Sequence, residues 1–321
     1  MTLKKTLILL LFIASTGLLT AQDTWYGGIA SMRSVFNPGY CGASGKTEIS
    51  LSEYNFLPGG GYRLNSISAA FDSYITNLHG GVSVWLVDDM AGGVINDLRS
   101  GFAYSYHFRA GDKTYITAGL TASVIHVGVN SSNVVFPDNI DPFSGQISAS
   151  GDVVSDNGVT AFDAGTGFTA SSGGWYGGFA VTHLTQPYLS DDHQASSRLQ
   201  RKFTIDTGTN IALGKGDAWL QPSAIMIFQG NSFIGSAGAV INKREILCGI
   251  SAWFAKGGFA ALQPSIGWRT ESASIGLTYS YNMVNKDGNI PSTALVRASV
   301  TIFLDNVEKR RVVHVIKLPE L

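Results

Sequence analysis

The chain has 321 residues, of which 38 are glycine and only 14% are charged, with a formal net charge of −1. A mean hydropathy of +0.14 and an isoelectric point near 6.6 exclude a solvated, disordered chain. They also exclude a basic nucleic-acid-binding surface, because the lysines and arginines are few and scattered, so no nucleic acid is expected as a partner.

The first 21 residues read as a secretory signal. Lys4 and Lys5 supply the positive start, Thr6 to Leu19 an apolar stretch, and Thr20-Ala21-Gln22 a small-residue cleavage site, which places the cut after Ala21. The apolar stretch is short for a membrane span, and no cysteine follows the cut to carry a lipid. No Pro-rich, Ser-rich or charged linker divides the rest, so residues 46–304 are read as one domain.

Residues 22–45 lack alternation and carry Asn, Pro and Gly turn chemistry, which predicts little regular structure. They are expected to enter, as a plug, the barrel formed by the rest of the chain, or to cover its periplasmic mouth. From residue 46 onward the pattern changes to period two. In 99–108, Phe102, Tyr104, Tyr106 and Phe108 oppose Arg99, Gly101, Ala103, Ser105 and His107; in 115–124, Ile116, Ala118, Leu120, Ala122 and Val124 oppose Tyr115, Thr117, Gly119, Thr121 and Ser123. The same split recurs in 272–281, where Ala273, Ile275, Leu277, Tyr279 and Tyr281 oppose Ser272, Ser274, Gly276, Thr278 and Ser280. Such runs are half-buried strands. A soluble sandwich alternates too, but its wet face carries many charges, whereas the second face here is Gly, Ser, Thr and Asn. That composition suits the inside of a transmembrane antiparallel β-barrel whose aromatic and aliphatic face meets outer-membrane lipid.

Fourteen strands are predicted: 46–53, 64–74, 80–87, 98–108, 114–126, 160–170, 174–183, 201–213, 218–228, 231–242, 245–255, 258–269, 272–282 and 294–304. An even count puts both termini on the periplasmic side, with long outer loops alternating with tight inner turns. The connections 54–63, 88–97, 127–159, 184–200 and 283–293 fit the long class, while those around Gln229 and Gly257 are short for the outer side. Pro222 and Pro264, each in a Leu-Gln-Pro-Ser run, cannot donate to a ladder and predict a bulge or a strand start.

Candidate chemistry is thin. His126 near Ser123 would be a base beside a nucleophile, but a polar residue at the headgroup boundary accounts for it more simply. Asp138, Asp141, Asp152 and Asp156, and the run Asp191-Asp192-His193, read as solvated loop, since their spacing fits no calcium loop. Cys41 and Cys248 could pair in an exported chain, though two cysteines so far apart in sequence do not establish a bridge. No CxxC, HxxxH, nucleophile elbow or phosphate loop occurs. Catalytic, metal and cofactor-binding residues are therefore not expected, and the chain is read as a non-enzyme needing no cofactor.

The segment Ser34-Val35-Phe36-Asn37-Pro38-Gly39-Tyr40-Cys41-Gly42 resembles the NPAYAG signature of the PorP/SprF family of type IX secretion outer-membrane proteins. In order along the chain, Gly101 to Tyr106 is similar to that family's YSY-type strand, and Trp175-Tyr176-Gly177-Gly178 with Val181-Thr182-His183-Leu184 to its YxGLSxxHL strand. Gln221-Pro222-Ser223 and Ile275 to Tyr281 match its KPS and IGYSYD strands. Gly39 and Cys41 stand where the signature has alanines, Asn282 where Asp is usual, and the closing His-Glu and terminal aromatic are absent. The family-motif residues are thus Asn37, Pro38, Gly39, Tyr40 and Gly42. The resemblance implies an outer-membrane component of the type IX secretion and gliding-motility apparatus. It also implies association with the periplasmic ring and with secreted proteins that bear a C-terminal sorting domain. The rival readings are a channel of the long-chain fatty-acid-transporter type for small apolar molecules and, more weakly, an outer-membrane hydrolase. The tail 305–321, with Lys309, Arg310, Arg311, Val313 and Val315, is expected to be a periplasmic contact element.

Overall fold

A computed structural model describes residues 32–56, 64–130, 140, 146, 158–190, 197–214, 218–256, 259–284 and 295–304. The signal segment, residues 22–31, the acidic loop residues 138, 141, 152 and 156, the run 191–193 and the tail 305–321 lie outside them.

After a one-turn helix α1 (Arg33–Phe36) and a 3₁₀ turn (Pro38–Tyr40), the chain is all strand. In order these are β1 (Thr47–Phe56), β2 (Leu64–Ile75), β3 (Gly80–Ala91), β4 (Ile95–Arg109), β5 (Thr114–Val129), β6 (Val159–Ser172), β7 (Trp175–Thr182) and β8 (Lys202–Thr209). The series continues through β9 (Ile211–Leu213), β10 (Ala218–Gln229), β11 (Ser232–Lys243), β12 (Ile246–Ala255), β13 (Phe259–Arg269), β14 (Ala273–Val284) and β15 (Leu295–Leu304). From β1 to β8 and from β9 to β15 each strand pairs antiparallel with the next, β8 pairs with β10, and β15 pairs with β1 from Thr47↔Leu304 to Phe56↔Leu295, which closes the ring. β8 and β9 lie end to end along β10 across Asn210, so together they form one stave of a closed fourteen-stranded barrel.

The alternation sorts the two faces as the sequence requires. On β4 the aromatics Phe102, Tyr106 and Phe108 are exposed outward while Arg99, Ala103 and Ser105 are buried inward. On β14, Ile275, Leu277, Tyr279 and Tyr281 are exposed, and Ser274, Thr278 and Ser280 are buried. An apolar exterior this continuous has no place in water and makes the lipid-facing band of an outer-membrane barrel. Tight hairpins are set by residues with positive φ. Gly173 and Gly174, at φ 59° and 96°, form the two-residue turn between β6 and β7, a conformation in which a Cβ is strained.

Two details differ from the sequence reading. The 88–97 connection is not a loop: β3 and β4 run on to Ala91 and Ile95 and leave a turn at 92–94. The polar residues that suggested a loop are satisfied on the strands, with Asn96 Nδ2 donating across to Asp88 Oδ1 at 2.6 Å and Arg99 bonded twice to Asp97 along β4. The prolines are mid-strand, at neither a strand start nor a bulge, since the register is kept past both. Pro222 pairs with Ala239 on one side and faces the β8–β9 break on the other, while Pro264 pairs with Ile250 and meets a lapse in the β13–β14 ladder. In both, the missing N–H falls where no ladder bond is formed.

Candidate functional site

The buried core of the molecule lies inside the barrel, where residues 32–43 are its centre. Met32 and Phe36 pack with Tyr54, Trp85, Val87, Ile225 and Ile227, and Tyr40 and Ala43 pack with Tyr176. Asn37 and Cys41 are fully buried. A segment of a dozen residues that touches strands around the ring is enclosed by the wall.

Local chemistry shapes the segment. Asn37 is extended and its Oδ1 accepts the Gly39 N–H at 2.9 Å, so it caps the 3₁₀ turn that Pro38 opens. Its Nδ2 donates to the Phe168 carbonyl at 3.2 Å. Gly42 is left-handed, at φ 68°, and lies back to back with Gly81 with no room for a side chain between them.

The wall beneath is cut to receive this backbone. A Cβ on Gly81 would strike Cys41, one on Gly119 would strike Pro38, and one on Gly167 or Gly178 would strike the Asn37 amide. Four glycines on β3, β5, β6 and β7 therefore form a track under residues 37–42. Beside the track stand hydrogen-bonding side chains. Ser105 Oγ donates to the Cys41 carbonyl at 2.7 Å with His107 Nε2 at 2.8 Å from the same oxygen, and Thr117 Oγ1 donates to the Gly39 carbonyl. Ser34 and Ser83 hydroxyls bond at 2.7 Å, the Gly42 N–H donates to Asp72 Oδ1 at 2.8 Å, and the Tyr40 hydroxyl donates to Asp206.

Charge is concentrated under the segment. Glu48 and Asp72 stand directly opposite each other in the β1–β2 ladder, a like-charge pairing that is unfavourable unless compensated. Arg33 lines a small cavity with both of them. Burial, then neighbouring Asp206, pushes the Tyr40 hydroxyl well above the usual phenol range; burial, then neighbouring Asp72, pushes the Cys41 thiol up likewise. Across from the track a cavity of about 80 Å³ lies between the Arg33 and Tyr40 side chains and the β10–β15 wall, with Tyr176, Trp253 and Arg297 among its lining. Small-molecule sites usually enclose about 300–1,000 Å³.

Nearer the opposite rim, His183 Nδ1 lies 2.7 Å from Asp163 Oδ2, and Thr185 Oγ1 donates to Asp163 Oδ1 at 2.8 Å. His183 is left-handed at φ 58°, and the following Leu184 N–H bonds back to Ala164. This clamp ties the start of the 183–201 connection to β6.

The structure thus gathers all five motif residues, Asn37, Pro38, Gly39, Tyr40 and Gly42, on one inner surface. Lys309, Arg310, Arg311, Val313 and Val315 lie outside the described residues. His126 and Ser123 fall on opposite faces, His126 outward and bonded to Thr160, so they do not form a base and nucleophile. Cys41 and Cys248 are both free, one inside the barrel and one on its exterior. Among the described residues no group of three or more His, Cys, Asp or Glu could hold a metal. The sequence reading missed Asp72, Asp206, Asp163 and the glycine track. The available signal was an acidic residue on an inward face otherwise made of Gly, Ser and Thr.

Solved structures similar to the chain are outer-membrane proteins. The CymD monoaromatic hydrocarbon channel has a TM-score of 0.53 at 10% identity, covering 87% of this chain and 94% of its own. The Ralstonia pickettii toluene transporter TbuX has 0.51 at 11%, covering 90% and 94%, and the P. putida toluene transporter TodX has 0.51 at 10%, covering 89% and 95%. At such identities the likeness is one of fold alone. No curated protein matches the chain. The model of the type IX secretion system membrane protein family PorP/SprF matches residues 19–293, most of the chain and all five motif positions, and the protein belongs to that family.

Proposed function

We propose that this barrel serves type IX secretion as a non-enzymatic outer-membrane anchor or assembly component, with residues 32–46 filling its lumen as a plug. The carrying observation is that the family's own signature builds the internal segment and that the wall is shaped to hold it. A signature spent on filling the lumen suits an anchor better than an open passage for apolar solutes. The cavity left beside the segment supports this reading, being small beside a small-molecule passage. Family membership supports the partners we assign: ring components on the periplasmic side, to which we also assign both termini, and secreted proteins with a C-terminal sorting domain on the outer side.

Deleting the gene should abolish surface display of such cargo and leave uptake of small hydrocarbons unchanged. Intact secretion with impaired hydrocarbon uptake would instead make the protein a channel of the fatty-acid-transporter type. The tail 305–321, with Lys309 to Arg311 and the Val313/Val315 alternation, is proposed as the ring contact. Removing it should leave an inserted barrel that recovers less ring protein in a pull-down. Equal recovery would shift the contact to the periplasmic turns.

A further inference from the structure

We propose that the lumenal segment is a displaceable gate, and that the wall it covers makes the opened lumen selective for cations. The segment's hydrogen bonds run from Ser34 to β3, from Asn37 to β6, and from Gly39 to Gly42 to β2, β4, β5 and β8. On the far side Tyr40 and the preceding Arg33 face the cavity, so residues 37–42 have free volume beside them, while Met32 and Phe36 pack on β1, β3 and β10. The contact that residues 37–42 make with the wall is polar and rich in glycine. When such surfaces separate, water replaces each hydrogen bond, unlike an apolar contact that must be exposed.

The covered wall carries the charge that sets selectivity once the segment is released. Glu48 and Asp72, opposed in the ladder, face Arg33 and the Gly42 N–H, and Asp206 faces the Tyr40 hydroxyl. Withdrawal removes Arg33 and bares three carboxylates inside a narrow, low-dielectric passage, with Arg297 of β15 remaining on the wall. Rings of carboxylates in such passages raise the local concentration of cations. This rests on the segment filling the lumen and is independent of the secretion role, so a barrel that conducts as described but is dispensable for secretion would refute only the latter.

The test uses the full mature chain with Cys248→Ala, so that Cys41 in the segment is its sole thiol and reports access. A membrane-impermeant maleimide should label Cys41 slowly but to completion in the folded, heat-modifiable barrel. Labelling that occurs only after thermal unfolding would overturn the gate without any destabilising variant. Arg33→Glu sets a third carboxylate against Glu48 and Asp72, and Gly119→Val wedges a side chain beneath Pro38. Each should raise both labelling rate and planar-bilayer conductance about tenfold or more, the size of a modest population shift. In a KCl gradient the opened pore should favour potassium over chloride. Adding Glu48→Gln, Asp72→Asn and Asp206→Asn to Gly119→Val should bring that preference to near unity while the pore stays open. Folded variants that label and conduct like the parent, or a preference unmoved by the three amides, would overturn the proposal.

Discussion

Leu120 and Thr121 are neighbours that meet opposite environments. Leu120 is 66% exposed on the lipid face, whereas Thr121 points inward, beside Gly165 of the next strand. An arginine at 120 near mid-membrane should cost about 2–4 kcal/mol, and one at 121 less, because its head can reach lumenal water. Folding yield and heat-modifiable gel mobility will compare them, and equal losses would mean that the faces are wrongly assigned. At Cys41 the expectation concerns pH. Burial and Asp72 hold the thiol neutral to higher pH than an ordinary cysteine, so little reactive thiolate exists near neutrality. Near neutral pH the folded barrel's Cys41 should therefore be labelled far more slowly than the same thiol in the unfolded chain, and equal rates would show that the thiol is already in water. At this scale the sequence was only half readable. Asn37, Pro38 and Gly42 announce a turn by their own chemistry, but Asp72, Ser105, Thr117 and Asp206 come from four different strands and are joined only by the closure of the barrel.

Strand existence was legible because two signals agree along the whole chain, a period of two and small turn residues between runs. All fourteen predicted strands are present, with β8 and β9 sharing the stretch 201–213. The 88–97 segment misled because Asp88, Asp89, Asn96 and Asp97 look like loop. Above the apolar band, ladder bonds and cross-strand polar pairs tolerate such residues, so the strands continue. The Asp163–His183–Thr185 clamp was invisible for a related reason: it joins a mid-strand acid to a residue that merely follows a strand. Its buried pair gives a prediction for the element. Asp163→Ala leaves the imidazole buried without its carboxylate and should destabilise that rim by about 3–5 kcal/mol. Limited proteolysis should then cut within 183–201 at protease levels that spare the parent, while the rest of the barrel stays resistant. Unchanged cleavage would show that the connection is held by other contacts.

At the scale of the molecule, the seam between the first and last strands has a consequence for biogenesis. The residues just before β1 are inside the ring, yet β1 completes that ring by pairing with β15, the last strand to be made. The barrel therefore cannot seal first and acquire its filling through the wall. Either the insertion machinery holds the β1–β15 edges apart until the leading segment has found its track, or the segment must thread a finished mouth with a bulky Phe36 and Tyr40. The first route makes the lumen's contents a template on which the sheet curls, and it makes ring closure, the pairing most distant in sequence, the slow and committing step.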